Sequence, residues 1–474
     1  MVHDILYKTK ENKQKGDEFL SENLMLERIL APFIPESEKL HRLTEDLCHP
    51  LQSIENISYR REIFSDLYYS PDILVKFKKM LGSIKRLYDD INSQRRHRSM
   101  NVPLVLLKMR ADSLKQVLTL FADLAPTARS ISPKSNALKA IAERIARIGK
   151  DEENAAFVRF LERIDSIRSD QVHNMEIVLN EHGKVQFCQL TDTQIEYSPQ
   201  PASRGLKDLF SKPQTQPMDE VAQLNSLAAS TDGSTLYVVA LNTLSELMYD
   251  VEKMIFTEFL TAADQIDFYD ATTQLFHMAE EKGISICFAD LTANNGISIK
   301  QLYDPLLTVL GNAPSPNDIV CPEGIRGIAI TGGNNSGKTV FLRSLAVGML
   351  MAYQGLPMMC KEAALPLKCS MFSLFATSER TLSQNMGRFE HEVQRLSLIL
   401  DEIPKDSVLI LNEPFQTTEY EEGAQGLYGI LSALTDIGVF WIVVTHLTDL
   451  GSRLYDDNNV LCLHMHDDHK LICK

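Results

Sequence analysis

Through much of the first half of the chain, apolar residues recur at helical spacing. Between Asp151 and Asp170 they are Phe157, Phe160, Leu161, Ile164 and Ile167, and further on Leu247, Val251, Met254 and Ile255. Positions three and four apart share one face of a 3.6-residue helix, so both stretches predict amphipathic helices, the second running from about Leu236 to Lys282. Between them the texture changes. Met175 to Leu179 and Lys184 to Leu190 read as strands, joined by the turn Asn180-Glu181-His182-Gly183. Ser198-Pro199-Gln200-Pro201, Lys212-Pro213 and Gln216-Pro217 then mark a loop or irregular insert. After Gly283 the pattern shifts to short apolar runs: Ile284 to Ala289, then Ile325 to Thr331, Val408 to Leu411 and Phe440 to Val444, alternating with helices. A Pro- and Asn-rich connection runs from Asn312 to Asp318. Such alternation predicts an α/β sheet, with a domain boundary near residue 283.

Composition refines this picture modestly. A chain of 474 residues exceeds what one hydrophobic core serves, so two or three domains are expected. Hydrophobic residues at 44% and charged residues at 23% suit a globular protein. The net charge of −15 speaks against tight non-specific DNA binding, although a local basic face remains compatible with it. Eight cysteines, none in a CxxC pair, read as reduced, partly buried thiols. Met1 to Lys10 is polar and lacks a signal core, and no run approaches the roughly 20 apolar residues of a membrane span. A cytoplasmic protein with no membrane partner is expected.

The candidate chemistry is concentrated after residue 330. Gly332-Gly333-Asn334-Asn335-Ser336-Gly337-Lys338-Thr339 fits G-x-x-x-x-G-K-[ST], between a predicted strand and a helix carrying Phe341, Leu342 and Leu345. Glycines let backbone N–H groups turn toward a phosphate, and the helix N-terminus adds a positive dipole end. Lys338 is the candidate for the β- and γ-phosphates of ATP, and the Thr339 hydroxyl for Mg²⁺. The strand Val408 to Leu411 ends in Asn412-Glu413. An acid at the first place would help hold Mg²⁺; Asn412 supplies only a neutral amide, and Glu413 is the candidate general base. His446, directly after the strand Phe440 to Val444, is placed to reach the γ-phosphate or the attacking water. Gly387 and Arg388 open a helix whose Phe389, Val393, Leu396 and Leu400 share a face, and such a start can receive an anion.

Two other clusters weigh less. Arg95-Arg96-His97-Arg98 suits a phosphate backbone but reads better as a solvated charged turn. His464, His466, Asp467, Asp468 and His469 contain metal-ligand types, yet the alternation from Val460 to His466, the Asp467-Asp468 turn and the strand-like Lys470 to Cys473 read as an exposed hairpin.

Thr331 to Val340, Leu409 to Glu413, Gly387-Arg388-Phe389 with Glu392, and Val444-Thr445-His446 together resemble the MutS family of DNA mismatch repair ATPases. Tyr303-Asp304-Pro305, Asn317-Asp318, Gly355, Glu362-Ala363 and Asn459 to Met465 extend the resemblance over roughly residues 284 to 474. His49-Pro50-Leu51, Ile54, Ile57 and Arg60 to Leu67 resemble the start of the family's helical core. The resemblance implies an α + α/β fold: a helical core/lever domain over residues 1–283, with a clamp-like insert near 172–235, followed by an ABC-type P-loop ATPase domain over 284–474. It also implies a homodimer with composite ATP sites, in which Gly387 and Arg388 act on the partner's nucleotide. ATP and Mg²⁺ would control a grip on DNA during repair or recombination. The sequence departs from the family at Asn412 and Gly387, nothing resembling the mismatch-reading or connector domains precedes the core, and the chain stops soon after His464. Direct mismatch reading is therefore not expected. The alternative is a nucleotide-switched assembly ATPase with no nucleic-acid role. An ABC transporter subunit is disfavoured by the helical half and the lack of a Ser-Gly-Gly-Gln run.

Overall fold

A computed structural model describes residues 3–9, 17–96, 103–166, 174–179, 185–191, 233–292, 296–312, 314–376, 388–415, 420–446 and 448–473. These fall into two compact units, Met1–His3 with Val75–Asp264 and Asp4–Leu74 with Gln265–Lys474. The texture change expected at 283 marks the end of the long helix Gly233–Glu281, where Gly283 takes a positive φ of 75°. The compact units divide elsewhere, because Asp4–Leu74 packs with the C-terminal residues.

The first unit is mainly helical. Pro103–Arg129, Asn136–Ile148 and Asp151–Ser166 accompany parts of Pro71–Arg96 and Gly233–Glu281. Phe160, Leu161 and Ile164 are buried at the spacing expected of them. The stripe expected on the long helix is rotated, however. Ile255 is buried, but Val251 and Met254 are exposed, and the inward face carries Leu244, Met248, Glu252 and Phe256. Glu252 turns inward because the largely covered Arg95 meets its buried carboxylate at 2.5 Å. A paired carboxylate can enter a core that an unpaired one cannot. Arg95 is thus not part of a solvated turn, and it also lies against the Tyr249 ring; His97 and Arg98 lie outside the described residues. Arg144 grips Glu258 with two hydrogen bonds of 2.7 and 3.0 Å, tying Asn136–Ile148 to the long helix. β1 (Asn174–Leu179) and β2 (Val185–Thr191) form an antiparallel ladder in which Met175 faces Leu190. The turn expected between them lies outside the described residues, as does most of the insert.

The second unit holds two sheets. β3 (Asp290–Thr292), β4 (Ile297–Leu302), β5 (Asn317–Cys321) and β7 (Glu362–Pro366) make a small mixed sheet ordered β3-β7-β4-β5. The strand expected over Ile284 to Ala289 is instead a single bridge, Cys287 to Met358. The larger sheet contains β6 (Gly327–Gly332), β8 (Met371–Phe375), β9 (Val408–Asn412), β10 (Phe440–Val444), β11 (Val460–Met465) and β12 (Leu471–Cys473). Its order is β12-β11-β6-β10-β9-β8, with only β12 antiparallel. β8, β9 and β10 are near-continuous apolar runs because both faces of this sheet are covered. Gly327 is needed in β6, since a Cβ there would lie 2.2 Å from the Trp441 indole.

Residues before Leu74 clasp this unit at the end of the helix Lys338–Tyr353. Arg60, buried to 2% exposure, donates to the Leu6 carbonyl and to Gln354, while the Gln354 amide donates to the carbonyls of Leu47 and His49. Gly355, at φ 73°, leaves room for the Ile57 carbonyl, which a Cβ would approach to 2.8 Å. Nearby, buried Asp17 accepts from the Ser373 amide at 2.8 Å and hydroxyl at 2.6 Å, which docks the N-terminal segment on β8.

Candidate functional site

β6, β10 and β9 run parallel as neighbours; β10 and β9 end level, Val444 pairing with Asn412, and on its other side Val444 pairs with Ile330, two residues before the end of β6. The residues after each strand are therefore delivered to one edge, the edge at which α/β sheets hold ligands. Past β6 comes the glycine loop, past β9 comes Glu413, and past β10 come Thr445 and His446.

The loop turns through two glycines with positive φ, Gly332 at 147° and Gly337 at 100°, the latter starting the helix Lys338–Tyr353. A Cβ on Gly332 would stand 2.4 Å from the Met465 carbonyl oxygen, so β11 presses directly on the loop. Asn334 and Asn335 are exposed, and Asn335 adopts φ 63°, a conformation that asparagine tolerates better than most residues. The buried Ser336 Oγ has no hydrogen-bond partner among the described residues. Lys338 reaches back under the loop, donating to the carbonyls of Gly332 at 3.1 Å and Gly333 at 2.7 Å. Burial pushes its pKa below the ordinary lysine value, and the charge of Glu413 opposes that shift.

The Thr339 hydroxyl donates to Asn412 Oδ1 at 3.0 Å. Glu413 sits in the left-handed region at φ 54°, its amide bonded to the Val444 carbonyl. This turn aims its carboxylate at His446, whose Nε2 lies 2.6 Å from Oε1. The structure therefore brings together Lys338, Thr339, Asn412, Glu413 and His446. Gly387 lies outside the described residues. Arg388 begins the helix Arg388–Glu402. The face expected on that helix is rotated as well: Leu396 is buried, while Phe389, Val393 and Leu400 are 38–43% exposed. Buried Glu392 decides the orientation by accepting the Phe415 amide at 2.8 Å, which anchors the helix to the segment after β9.

Sequence reasoning missed the role of the last hairpin. β11 is no exposed strand; it lies against β6, with His464 opposite Thr331 and Met465 opposite Gly332. The turn after it then crosses the glycine loop. His469 Nδ1 donates to the Ser336 carbonyl at 2.8 Å, and a Cβ on Gly333 would lie 3.3 Å from Asp467 Oδ1. The alternation of Val460 to Met465 was the available signal, since half-buried alternation also suits a strand with one packed face. Beside the loop opens a cleft of about 800 Å³, bounded by Thr331, Gly332, His446, Gly451, Tyr455 and His464. That volume is in the range of small-ligand sites.

Among the described residues no group of three or more His, Cys, Asp or Glu side chains is arranged to hold a metal. Thr339 and Asn412 present two neutral oxygens next to the Glu413 carboxylate. Such a set suits a hard cation completed by phosphate oxygens better than one held by protein alone. No helix among the described residues is long and apolar enough to cross a membrane.

The family model for MutS domain V matches residues 328–471, which span β6, the glycine loop and the strands behind it. Curated relatives match over a similar stretch. Endonuclease MutS2 of Maridesulfovibrio salexigens is 26% identical over 183 residues, 38% of this chain and 23% of that protein. The protein of the same name in Latilactobacillus sakei is 29% identical over 197 residues, 41% of this chain and 24% of the relative. That of Thermus thermophilus is 33% identical over 134 residues, 28% and 18% of the two chains. The matched stretch thus spans a quarter or less of the length of these relatives.

Proposed function

We propose, from the premise that this chain belongs to the MutS family through residues 328–471, that it binds ATP at Gly332–Thr339 and hydrolyses it with Mg²⁺. The observation that carries the proposal is that three adjacent parallel strands end at the same edge, which collects a buried lysine, a hydroxyl–amide pair and a carboxylate–imidazole pair there. Lys338 exchanges its two loop carbonyls for phosphate oxygens, so its burial is compensated by the ligand's charge. The partnerless Ser336 hydroxyl supplies a further polar group inside the loop. Thr339 and Asn412 hold the cation, which when bound screens the negative charge of the phosphates. Glu413 takes the proton of the attacking water, and His446 orients the carboxylate and senses the terminal phosphate. Gly387 and Arg388 cover the nucleotide of a second copy of the chain. The helical residues convert that closure into a nucleotide-dependent hold on DNA in repair or recombination.

The net charge of −15 favours a second reading, a nucleotide-switched assembly ATPase that holds a protein rather than DNA. Steady-state ATP hydrolysis, measured alone and with duplex or branched DNA, separates the two. Stimulation by DNA supports the first, and turnover indifferent to DNA in every nucleotide state moves the assignment to the second. No hydrolysis with Mg²⁺ present would remove both.

A further inference from the structure

Away from the nucleotide edge, the segment leaving the long helix meets the segment leaving the helix Lys338–Tyr353. Cys287 and Met358 exchange backbone hydrogen bonds of 3.0 and 2.8 Å. Two residues beyond Met358, Cys360 places its sulfur 3.3 Å from that of Cys287, although 73 positions separate the two along the chain. Both cysteines are free thiols; Cys360 is fully buried and Cys287 half-buried. A sulfur–sulfur approach this close, across backbone already bridged, leaves only a small movement before a covalent bond of about 2.05 Å can form.

We propose that Cys287 and Cys360 are a thiol–disulfide pair that closes on exposure to a low-molecular-weight disulfide. The division of labour between them comes from their surroundings. Cys287 is the more accessible sulfur, and the hydrogen bond donated by Cys360 favours its thiolate, with Arg61 adding a smaller pull in the same direction. The shared hydrogen bond and burial push the Cys360 thiol up, so Cys360 is protonated at rest and acts second. Elsewhere burial alone pushes Cys321 up to about 12, and burial with two nearby carboxylates does the same for Cys48, which marks both as poor nucleophiles.

In the first step Cys287 gives its proton to solvent, and its Sγ attacks one sulfur of oxidised glutathione. That disulfide breaks, a Cys287–glutathione bond forms, and one glutathione leaves as a thiolate that takes up a proton. In the second step Cys360 loses its proton and attacks Cys287 Sγ, expelling the second glutathione. Two protein thiols are oxidised and one glutathione disulfide is reduced to two thiols. The product ties the entry of the small sheet to the stretch between the helix Lys338–Tyr353 and β7.

The test is incubation of the full chain with excess oxidised glutathione, then thiol counting in denaturant and non-reducing peptide mapping. Two of the eight thiols should be lost, and one cross-linked peptide should join Cys287 to Cys360. In Cys360→Ser the reaction should stop at the first step, leaving one glutathione on Cys287. Cys360→Ala serves the same purpose if the serine disturbs folding, and the wild-type map is informative without either. Retention of all eight thiols, a cross-link between other cysteines, or no glutathione on Cys287 in folded Cys360 variants would each overturn the proposal.

Discussion

Lys338 illustrates how burial and charge compete at a single residue. Its ammonium is enclosed beneath the loop, carried by two backbone carbonyls and by the field of Glu413. Lys338→Ala should weaken ATP binding by at least about tenfold, read with a fluorescent nucleotide. Glu413→Gln should leave that affinity near wild type while slowing turnover by roughly 10²–10⁴. If both variants hydrolyse ATP normally, the assignment of these residues fails. The pH dependence has a definite sign. Because burial lowers the Lys338 pKa, the charged form prevails below that lowered value and is lost as pH rises through it. ATP affinity should therefore decline on the alkaline side at lower pH than an ordinary lysine would dictate, as a titration of Kd against pH would reveal. The gathering of these residues at one edge was legible in the sequence because each adjoins a short apolar run that reads as a strand. His469 was not, because a contact between a hairpin turn and a loop more than a hundred residues earlier has no local pattern.

At the scale of elements, charge decided what apolar spacing could not. Both the long helix and Arg388–Glu402 carry two overlapping apolar stripes, and in each a buried glutamate selects the inward one, Glu252 through Arg95 and Glu392 through the Phe415 amide. Helical type was readable; rotation about the axis depended on partners remote in sequence. The contact between β11 and the loop yields a second expectation. Gly332→Ala would place a Cβ against the Met465 carbonyl at an unfavourable φ, and should destabilise the unit by about 1–3 kcal/mol. Trp441, the single tryptophan and buried in this sheet, provides the fluorescence signal for that measurement. Asp17 gives a pH test of the N-terminal clasp. Burial raises its pKa despite the Ser373 hydrogen bonds, so its favourable contribution is greatest at low pH and is lost as pH rises through the raised value. The stability of wild type relative to Asp17→Asn should accordingly improve as pH falls, and a pH-independent difference would contradict this account.

At the scale of the whole molecule, Asp4–Leu74 is part of the same compact unit as the larger sheet. Arg60 is the clearest link, and Arg60→Met should lower stability by roughly 2–5 kcal/mol because the Leu6 carbonyl and Gln354 would lose a buried partner. The proposed composite site makes its own prediction: with ATP and Mg²⁺, Glu413→Gln should double its molar mass in light scattering, whereas Lys338→Ala should remain at the mass of the nucleotide-free protein. The sequence by itself determined the glycine loop, the strand ends bearing Asn412-Glu413 and Thr445-His446, and the helical character of the first half. Each of these rests on short-range geometry, such as a turn that admits only certain φ values or a periodicity of 2 or 3.6. Only the tertiary structure decided which helix faces are buried, that β11 adjoins β6 and its hairpin covers the loop, that two cysteines 73 positions apart meet, and that Asp4–Leu74 completes the C-terminal unit. Those outcomes depend on pairings between distant residues, where a buried charge or carbonyl must find its one compatible partner.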